Sequence, residues 1–234
     1  MIVGSAPDYA HGLTDNLEAL AKVAEAHNVP MHVDACMGGF LLPFAKDAGF
    51  PLDPFDFTLP GVTSISADVH KYGSCPKGAS VLMFRNNELR SHAFFNCTDW
   101  PGGIYVTPTY CGSRPGGNIA VCWGVMNMIG HEGYVKRAHA VISSCRRLRD
   151  AVHEIDGLTV IGNPNLCICS MTSSVFDIYA LLSEMKKAGW TMGAMQYPPA
   201  IHLDITNLTT QTGVMDSFIK VGFMLINMFN LDPI

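Results

Sequence analysis

The segment Ser64-Ile65-Ser66-Ala67-Asp68-Val69-His70-Lys71-Tyr72-Gly73 carries the residues best suited to chemistry. The apolar run from Val62 to Ile65 predicts a strand that delivers polar groups, then His70 and Lys71, straight into a loop. In open α/β sheets the strand ends are where ligands bind. A lysine held there, where neighbours can lower its pKa, can form a Schiff base with an aldehyde. Taken alone, Lys71 would read as a solvated loop residue.

The second element is His32-Val33-Asp34, at the end of another short apolar strand. Period-two spacing puts His32 and Asp34 on one face. A carboxylate beside a pyridine nitrogen keeps it protonated, which makes an aldehyde cofactor such as pyridoxal phosphate an effective electron sink. Lys71 and Asp34 are a pair of the right type for that chemistry. A metal site competes with it, because His32, Asp34, Asp68 and His70 form His-x-Asp and Asp-x-His pairs at two strand ends. A metal would leave Lys71 and the glycine-rich loops without a task.

Those loops are Gly102-Gly103-Ile104-Tyr105 and Gly112-Ser113-Arg114-Pro115-Gly116-Gly117-Asn118. Glycine lets a backbone pass close to a ligand, and a helix beginning near Asn118 offers free N–H groups to an anion. A structural turn explains the same residues equally well. Lys77, in a Pro-Lys-Gly loop, is a surface charge or an anion ligand. Cys167 and Cys169 alternate onto one strand face and read as core positions. The sequence contains no Walker loop or dinucleotide fingerprint.

The elements that must position these residues alternate strand with helix. An apolar stub at Met1–Val3 runs into a Gly-Ser-Ala-Pro loop. Asp15 then caps a helix, with Glu18 completing a capping box and Pro30 closing it. Strands are expected at Met31–Val33, Val62–Ile65 and Ser80–Phe84. This order argues for a largely parallel, covered α/β sheet. Two helices follow, Asn118–Ile129 and Tyr134–Ile155, the second with a stripe of Val135, Ala138, Ile142, Cys145, Leu148 and Val152. Strands at Leu158–Ile161, Leu166–Met171 and Ile201–Ile205, with helices at Phe176–Lys187 and Thr212–Phe229, make a small α+β domain. The expected division is 1–155 for the large domain with its connecting helix and 156–234 for the small one.

Composition narrows the class further. The 234 residues are 48% hydrophobic and only 15% charged, which excludes a disordered chain and suggests a surface covered by a partner subunit. Fifteen Lys plus Arg against twenty Asp plus Glu give a net charge of -5, which argues against nucleic acid as a partner. Eight scattered cysteines read as reduced core thiols. No signal peptide or membrane segment is visible, so a soluble, cytoplasmic chain is expected.

Together these segments resemble the sphingosine-1-phosphate lyase family, within the fold-type-I pyridoxal-phosphate enzymes related to the amino-acid decarboxylases. The resemblance rests on His32-Val33-Asp34-Ala35-Cys36, Gly38-Gly39-Phe40, Ser64-Ile65-Ser66-Ala67-Asp68 and His70-Lys71-Tyr72-Gly73. It continues through Pro76-Lys77-Gly78, Thr98-Asp99-Trp100, Gly102-Gly103-Ile104-Tyr105, Ser113-Arg114-Pro115-Gly116-Gly117 and Gln196-Tyr197-Pro198-Pro199-Ala200-Ile201-His202. It implies a fold-type-I large domain followed by a small α+β domain. It also implies pyridoxal 5'-phosphate as cofactor and retro-aldol cleavage of a phosphorylated sphingoid base to a long-chain aldehyde and phosphoethanolamine.

By the same resemblance Lys71 would be the Schiff-base lysine and Asp34 the partner of the pyridine nitrogen. His70 would lie beside the cofactor and His32 would support Asp34. Lys77 would hold the substrate phosphate, and Tyr9 would lie near the substrate. Tyr105 would act across a dimer interface in substrate binding or proton transfer. Ser113 and Gly112 would come from the second subunit toward the cofactor phosphate. Val69 and Ser74-Cys75 depart from the family pattern at the pocket edge.

The family's chains continue upstream, with further strands, a phosphate-gripping loop and, in eukaryotic members, an endoplasmic-reticulum anchor. The resemblance therefore implies the C-terminal part of such an enzyme, working as a homodimer or with a full-length subunit. By itself this chain is expected to be inactive and to hold its cofactor weakly. Two alternatives stay open: a related decarboxylase acting on a free amino acid, or a truncated chain that only binds a full-length subunit.

Overall fold

The computed structural model describes residues 1–229. The chain runs β1 (Ile2–Ser5), α1 (Leu17–Ala26), β2 (Met31–Asp34), α2 (Leu42–Ala45), β3 (Val62–Ala67) and β4 (Val81–Phe84). It continues through α3 (Asn87–Ser91), β5 (Phe95–Cys97), β6 (Tyr105–Thr107) and α4 (Gly116–His153). The last elements are β7 (Thr159–Val160), β8 (Ile168–Thr172), α5 (Ile178–Lys187), β9 (Gly193–Met195), β10 (Ala200–Asp204) and α6 (Val214–Phe229). No helix among the described residues is long and apolar enough to cross a membrane.

Two compact units share these elements. One holds Met1–Ala6, Asn16–Gly39 and Asp53–Gly130; the other holds Pro7–Asp15, Phe40–Leu52 and the chain from His131 onward. Helix α4 crosses the division at Gly130, whose φ of 62° and ψ of 176° interrupt the helix. The sequence division at 155/156 assigns residues 131–155 differently. Their apolar stripe accounts for the grouping: Tyr134, Ala138, Ile142, Cys145, Leu148 and Val152 are buried, and the Cys145 thiol donates to the Ile168 carbonyl at 3.5 Å.

In the first unit the sheet order is β1-β2-β3-β4, with β1, β2 and β3 parallel and β4 antiparallel to β3. Met31, Val33, Val62 and Ile65 supply its buried face. Helix α1 lies close to it, because a Cβ on Gly61 would fall 2.3 Å from the Ala21 carbonyl oxygen. The cap of α1 is Asn16 rather than Asp15: its side chain accepts from Ala19 N at 3.0 Å. The register between β2 and β3 shifts between Met31 and His32, leaving Thr63 unpaired in the ladder. Its Oγ1 accepts from Met31 N at 3.0 Å and donates to Met31 O at 2.8 Å, so the backbone groups at the bulge remain satisfied. The hairpin of β5 and β6 went unpredicted, since three-residue strands carry little pattern.

The second unit holds an antiparallel sheet of order β7-β8-β10-β9. Ile168, Cys169, Met171, Ile201 and Leu203 are buried there, as are Leu181, Leu182 and Met185 of α5. Burying a side chain such as Leu148 contributes about 1.5–3 kcal/mol. Tyr134 stacks on Phe44 with ring centroids 5.1 Å apart. It takes the place in the stripe that the spacing gave to Val135, which is only partly buried.

Candidate active site

The C-terminal ends of β2 and β3 lie side by side, with His32 opposite Ser64 and Asp34 opposite Ser66. Strand alternation buries Met31 and Val33 and turns His32 and Asp34 to the other face. The polar atoms there form a chain with assigned donors. Asp34 Oδ1 accepts from Ser66 Oγ at 3.2 Å and from Cys36 N at 3.0 Å. Ser66 Oγ has thereby used its hydrogen, so it accepts from His32 Nε2 at 3.1 Å. His32 Nδ1 is then the acceptor of the Ser64 hydroxyl at 2.8 Å. This is a neutral imidazole, consistent with burial pushing the His32 pKa below its ordinary value against the pull of Asp34.

Beyond β3 the chain turns so that Asp68 faces Lys71, with Nζ 3.1 Å from Oδ2. Ser80 donates to the other oxygen, Oδ1, at 2.6 Å. Burial opposes ionisation of Asp68, but the Ser80 hydrogen bond and the Lys71 charge outweigh it and hold the carboxyl below its usual range. Burial likewise pulls Lys71 down, but its contacts with Cys36 and Asp68 leave it above the ordinary lysine value. The sequence reading had neighbours lowering that pKa. The contact with Cys36, and after it that with the Asp68 carboxylate, reverses the sign.

Cys36 links the two halves of the site. Burial pushes its thiol up, while its contact with Lys71 opposes this and Asp34 adds to it. With Cys36 protonated at neutral pH, Asp68 supplies the negative charge that keeps Lys71 an ammonium. His70 Nδ1 donates to the Ala79 carbonyl at 3.0 Å and presents Nε2 to Asp68 Oδ2 at 3.7 Å. Lys71, Asp34, His32 and His70 are thus brought together; sequence reasoning gave Cys36 and Ser80 no role in the site, and it placed Ser64, Ser66 and Asp68 near the strand end without assigning their contacts to His32, Asp34 and Lys71. The polar alternation Ser64-x-Ser66-x-Asp68 was the available signal.

The other sequence candidates stand apart from this chain of contacts. Lys77 is exposed, in a loop tied to α4 by Asn118 Nδ2 donating to Gly78 O at 3.3 Å and by the Cys75 thiol reaching Cys122 O at 3.9 Å. Tyr105 is 45% exposed, beside Phe95 and Trp100, and its hydroxyl lies 3.9 Å from where a Cβ on Gly112 would sit. Ser113 is exposed on the following turn. Tyr9 belongs to the second unit, edge-on to His202 at 5.0 Å. As to metal, no group of three His, Cys, Asp or Glu side chains among the described residues is arranged to hold an ion.

A mostly parallel sheet with a lysine and a carboxylate at neighbouring strand ends defines the fold-type-I class of pyridoxal-dependent enzymes. The chain belongs to the pyridoxal-dependent decarboxylase family: residues 9–170 match the model described as the pyridoxal-dependent decarboxylase conserved domain. It is 44% identical over 219 residues to a sphingosine-1-phosphate lyase of Drosophila melanogaster, covering 94% of this chain and 40% of that protein. A solved sphingosine-1-phosphate lyase of Burkholderia pseudomallei superposes with a TM-score of 0.90 at 42% identity, covering 96% of this chain and 51% of that one. A glutamate decarboxylase of Lactobacillus brevis shares the fold, with a TM-score of 0.81 at 22% identity. The chain therefore spans about two fifths of the length of the curated relatives it matches.

Proposed function

We propose that this chain carries the cofactor-binding lysine and part of the active site of a pyridoxal-phosphate-dependent carbon–carbon lyase. Its substrate class is a phosphorylated sphingoid base, cleaved to a long-chain aldehyde and phosphoethanolamine. The observation that carries this reading is the Lys71–Asp68 ion pair set beside the Asp34–Ser66–His32 chain. The donor set suits the cofactor: an amine for the aldehyde, and a half-buried, doubly hydrogen-bonded carboxylate for the ring nitrogen. The likeness to the lyases of fly and Burkholderia favours the substrate class.

Bound pyridoxal phosphate would supply the sink for the electrons of the breaking carbon–carbon bond. The protein's residues divide the remaining work. Lys71 would hold the cofactor covalently and, once displaced by the substrate amine, regain a proton at Nζ against Asp68. Asp34 would face the ring nitrogen, its carboxylate fixed by Ser66 and Cys36 N–H, with His32 supporting Ser66. His70 would lie beside the cofactor. Lys77 would bind the substrate phosphate, and Tyr9 would contact the substrate. Tyr105 would assist binding or carry a proton. Ser113 and Gly112 would approach a cofactor phosphate across a homodimer or a contact with a full-length subunit. The exposed apolar side chains Val106, Trp123 and Met128 are in keeping with such a partner.

The domain division at 155/156, a cytosol-facing location and the absence of nucleic-acid partners complete the reading. Decarboxylation of a free amino acid is the second reading, favoured by the family's description. Borohydride reduction of the holoenzyme followed by peptide mapping tests the first. The pyridoxyl group should appear on Lys71, and a label on any other lysine would overturn the assignment.

A further inference from the structure

Three residues form a transverse row across the second sheet: Ser170 of β8 pairs with His202 of β10, which pairs in turn with Gly193 of β9. Ser170 is fully buried and His202 is 2% exposed, yet both are polar and neither belongs to the site around Lys71. Both spend their hydrogens on one short loop. Ser170 Oγ donates to the His11 carbonyl at 3.0 Å, and His202 Nδ1 meets the Ala10 carbonyl at 2.7 Å. A carbonyl only accepts, so Nδ1 carries the hydrogen. Among the described residues Nε2 has no hydrogen-bond partner. A Cβ on Gly193 would fall 2.2 Å from it, so glycine makes the room in which this ring lies.

The loop is closed by its own contacts as well. Asp8 accepts from His11 N at 2.8 Å and from Leu13 N at 2.9 Å. Gly12, at φ 75°, lets the backbone approach until a Cβ would sit 2.3 Å from Ile168 O. What this fixed backbone presents is Tyr9, 59% exposed, with its ring edge-on to His202 at 5.0 Å. Two buried donors aimed at successive carbonyls exceed what closing a short turn requires. Their shared effect is to fix the position from which Tyr9 projects.

We propose that His202 is a positioning residue for substrate binding, acting through the Ala10 carbonyl to set the Tyr9 ring. This rests on the reading of Tyr9 as a substrate contact. The hydrogen bond comes from Nδ1, so an asparagine amide, which reaches the Nδ1 position, restores it. A glutamine amide lies nearer the Nε2 position and does not.

The test uses the holoenzyme with sphingosine 1-phosphate and reads KM and kcat separately. His202→Phe keeps an aromatic ring and removes the donor, and should raise KM about three- to tenfold with kcat unchanged, the worth of one hydrogen bond. His202→Asn should recover most of that loss and His202→Gln should not. In a Tyr9→Ala background His202→Phe should add nothing further. Equal effects of His202→Phe with and without Tyr9 would overturn the inference, as would a fall in kcat with KM unmoved. If His202→Phe does not fold, Ser170→Ala makes the same test at the His11 carbonyl. A KM unchanged by Tyr9→Ala would instead overturn the reading of Tyr9. A KM raised by Tyr9→Ala but untouched by His202→Phe would overturn the role of His202 alone.

Discussion

Lys71 and Ser80 hold opposite oxygens of one carboxylate, Nζ at 3.1 Å from Asp68 Oδ2 and Oγ at 2.6 Å from Oδ1. The lysine is thereby kept as an ammonium, which has no lone pair to attack an aldehyde. On the proposed role of Lys71, capture of the cofactor would wait for that proton to leave, and the carboxylate would set how readily it does.

Asp68→Asn removes the charge and keeps an oxygen for Ser80. The Lys71 pKa, raised in the native site, should fall, so the free-amine fraction at neutral pH grows. In the apoenzyme the rate of pyridoxal phosphate capture, followed by absorbance, should rise with pH in both proteins. The rise should come at lower pH in the variant. A profile that stays put or moves to higher pH would remove Asp68 from this role.

Lys77 is exposed and its loop is tied to α4, so its loss should disturb little else. One charge-assisted contact to a phosphate is worth about 1.5–3 kcal/mol, or roughly ten- to a hundredfold in affinity. Lys77→Ala should weaken sphingosine 1-phosphate by that factor while cofactor absorbance is unchanged. Equal losses for phosphorylated and unphosphorylated amines would end the phosphate role and favour the decarboxylase reading.

The thiols should differ sharply in reactivity. Burial pushes Cys145 up to about 12 and Cys75 up to about 11, the latter also through its contact with Cys122. Cys169 is pushed up by burial further still. Cys111 is exposed. In native protein at pH 8, iodoacetamide should modify Cys111 first and leave Cys75, Cys145 and Cys169 until unfolding, as mass spectrometry of the peptides would report. Early labelling of Cys145 would contradict its place under the second sheet.

Gly61 is the point of closest approach between the entry to β3 and α1, with a virtual Cβ 2.3 Å from Ala21 O. Gly61→Ala forces backbone to move against backbone. A loss of about 1–3 kcal/mol in thermal or denaturant unfolding is expected. Unchanged stability would mean that α1 lies farther from the sheet than described.

The placement of Asp34 and Lys71 near neighbouring strand ends was legible because it depends on residue type and strand alternation alone. His32, Asp34 and Lys71 announce themselves at the ends of short apolar runs. Asp68 was visible too, but its weight was missed: in sequence it read as half of a metal pair, and only the turn after β3 brings it onto Lys71. The Asn16 cap could not be told from Asp15, because neighbouring cap residues differ only in which side-chain oxygen meets the amide three residues on. The hairpin at Phe95–Cys97 and Tyr105–Thr107 and strand β9 are three residues each, too short for a period to register. Ser64 and Ser66 were quoted as polar strand residues, but nothing in their order says that they lie under His32 and Asp34.

That last relationship is a matter of parity. A regular register from the Met31–Val62 pair would set His32 against Thr63, Val33 against Ser64 and Asp34 against Ile65. The serines would then share a face with Val33, and isoleucine would sit beside the carboxylate. The extra residue at Thr63 shifts the phase by one, and the observed pairs are His32 with Ser64 and Asp34 with Ser66. The composition of β3 is therefore only half of what builds the site. The bulge is the other half: a ladder running regularly from Met31 and Val62 with all six residues of β3 kept would interchange the wet and dry faces while leaving every side chain in the sequence.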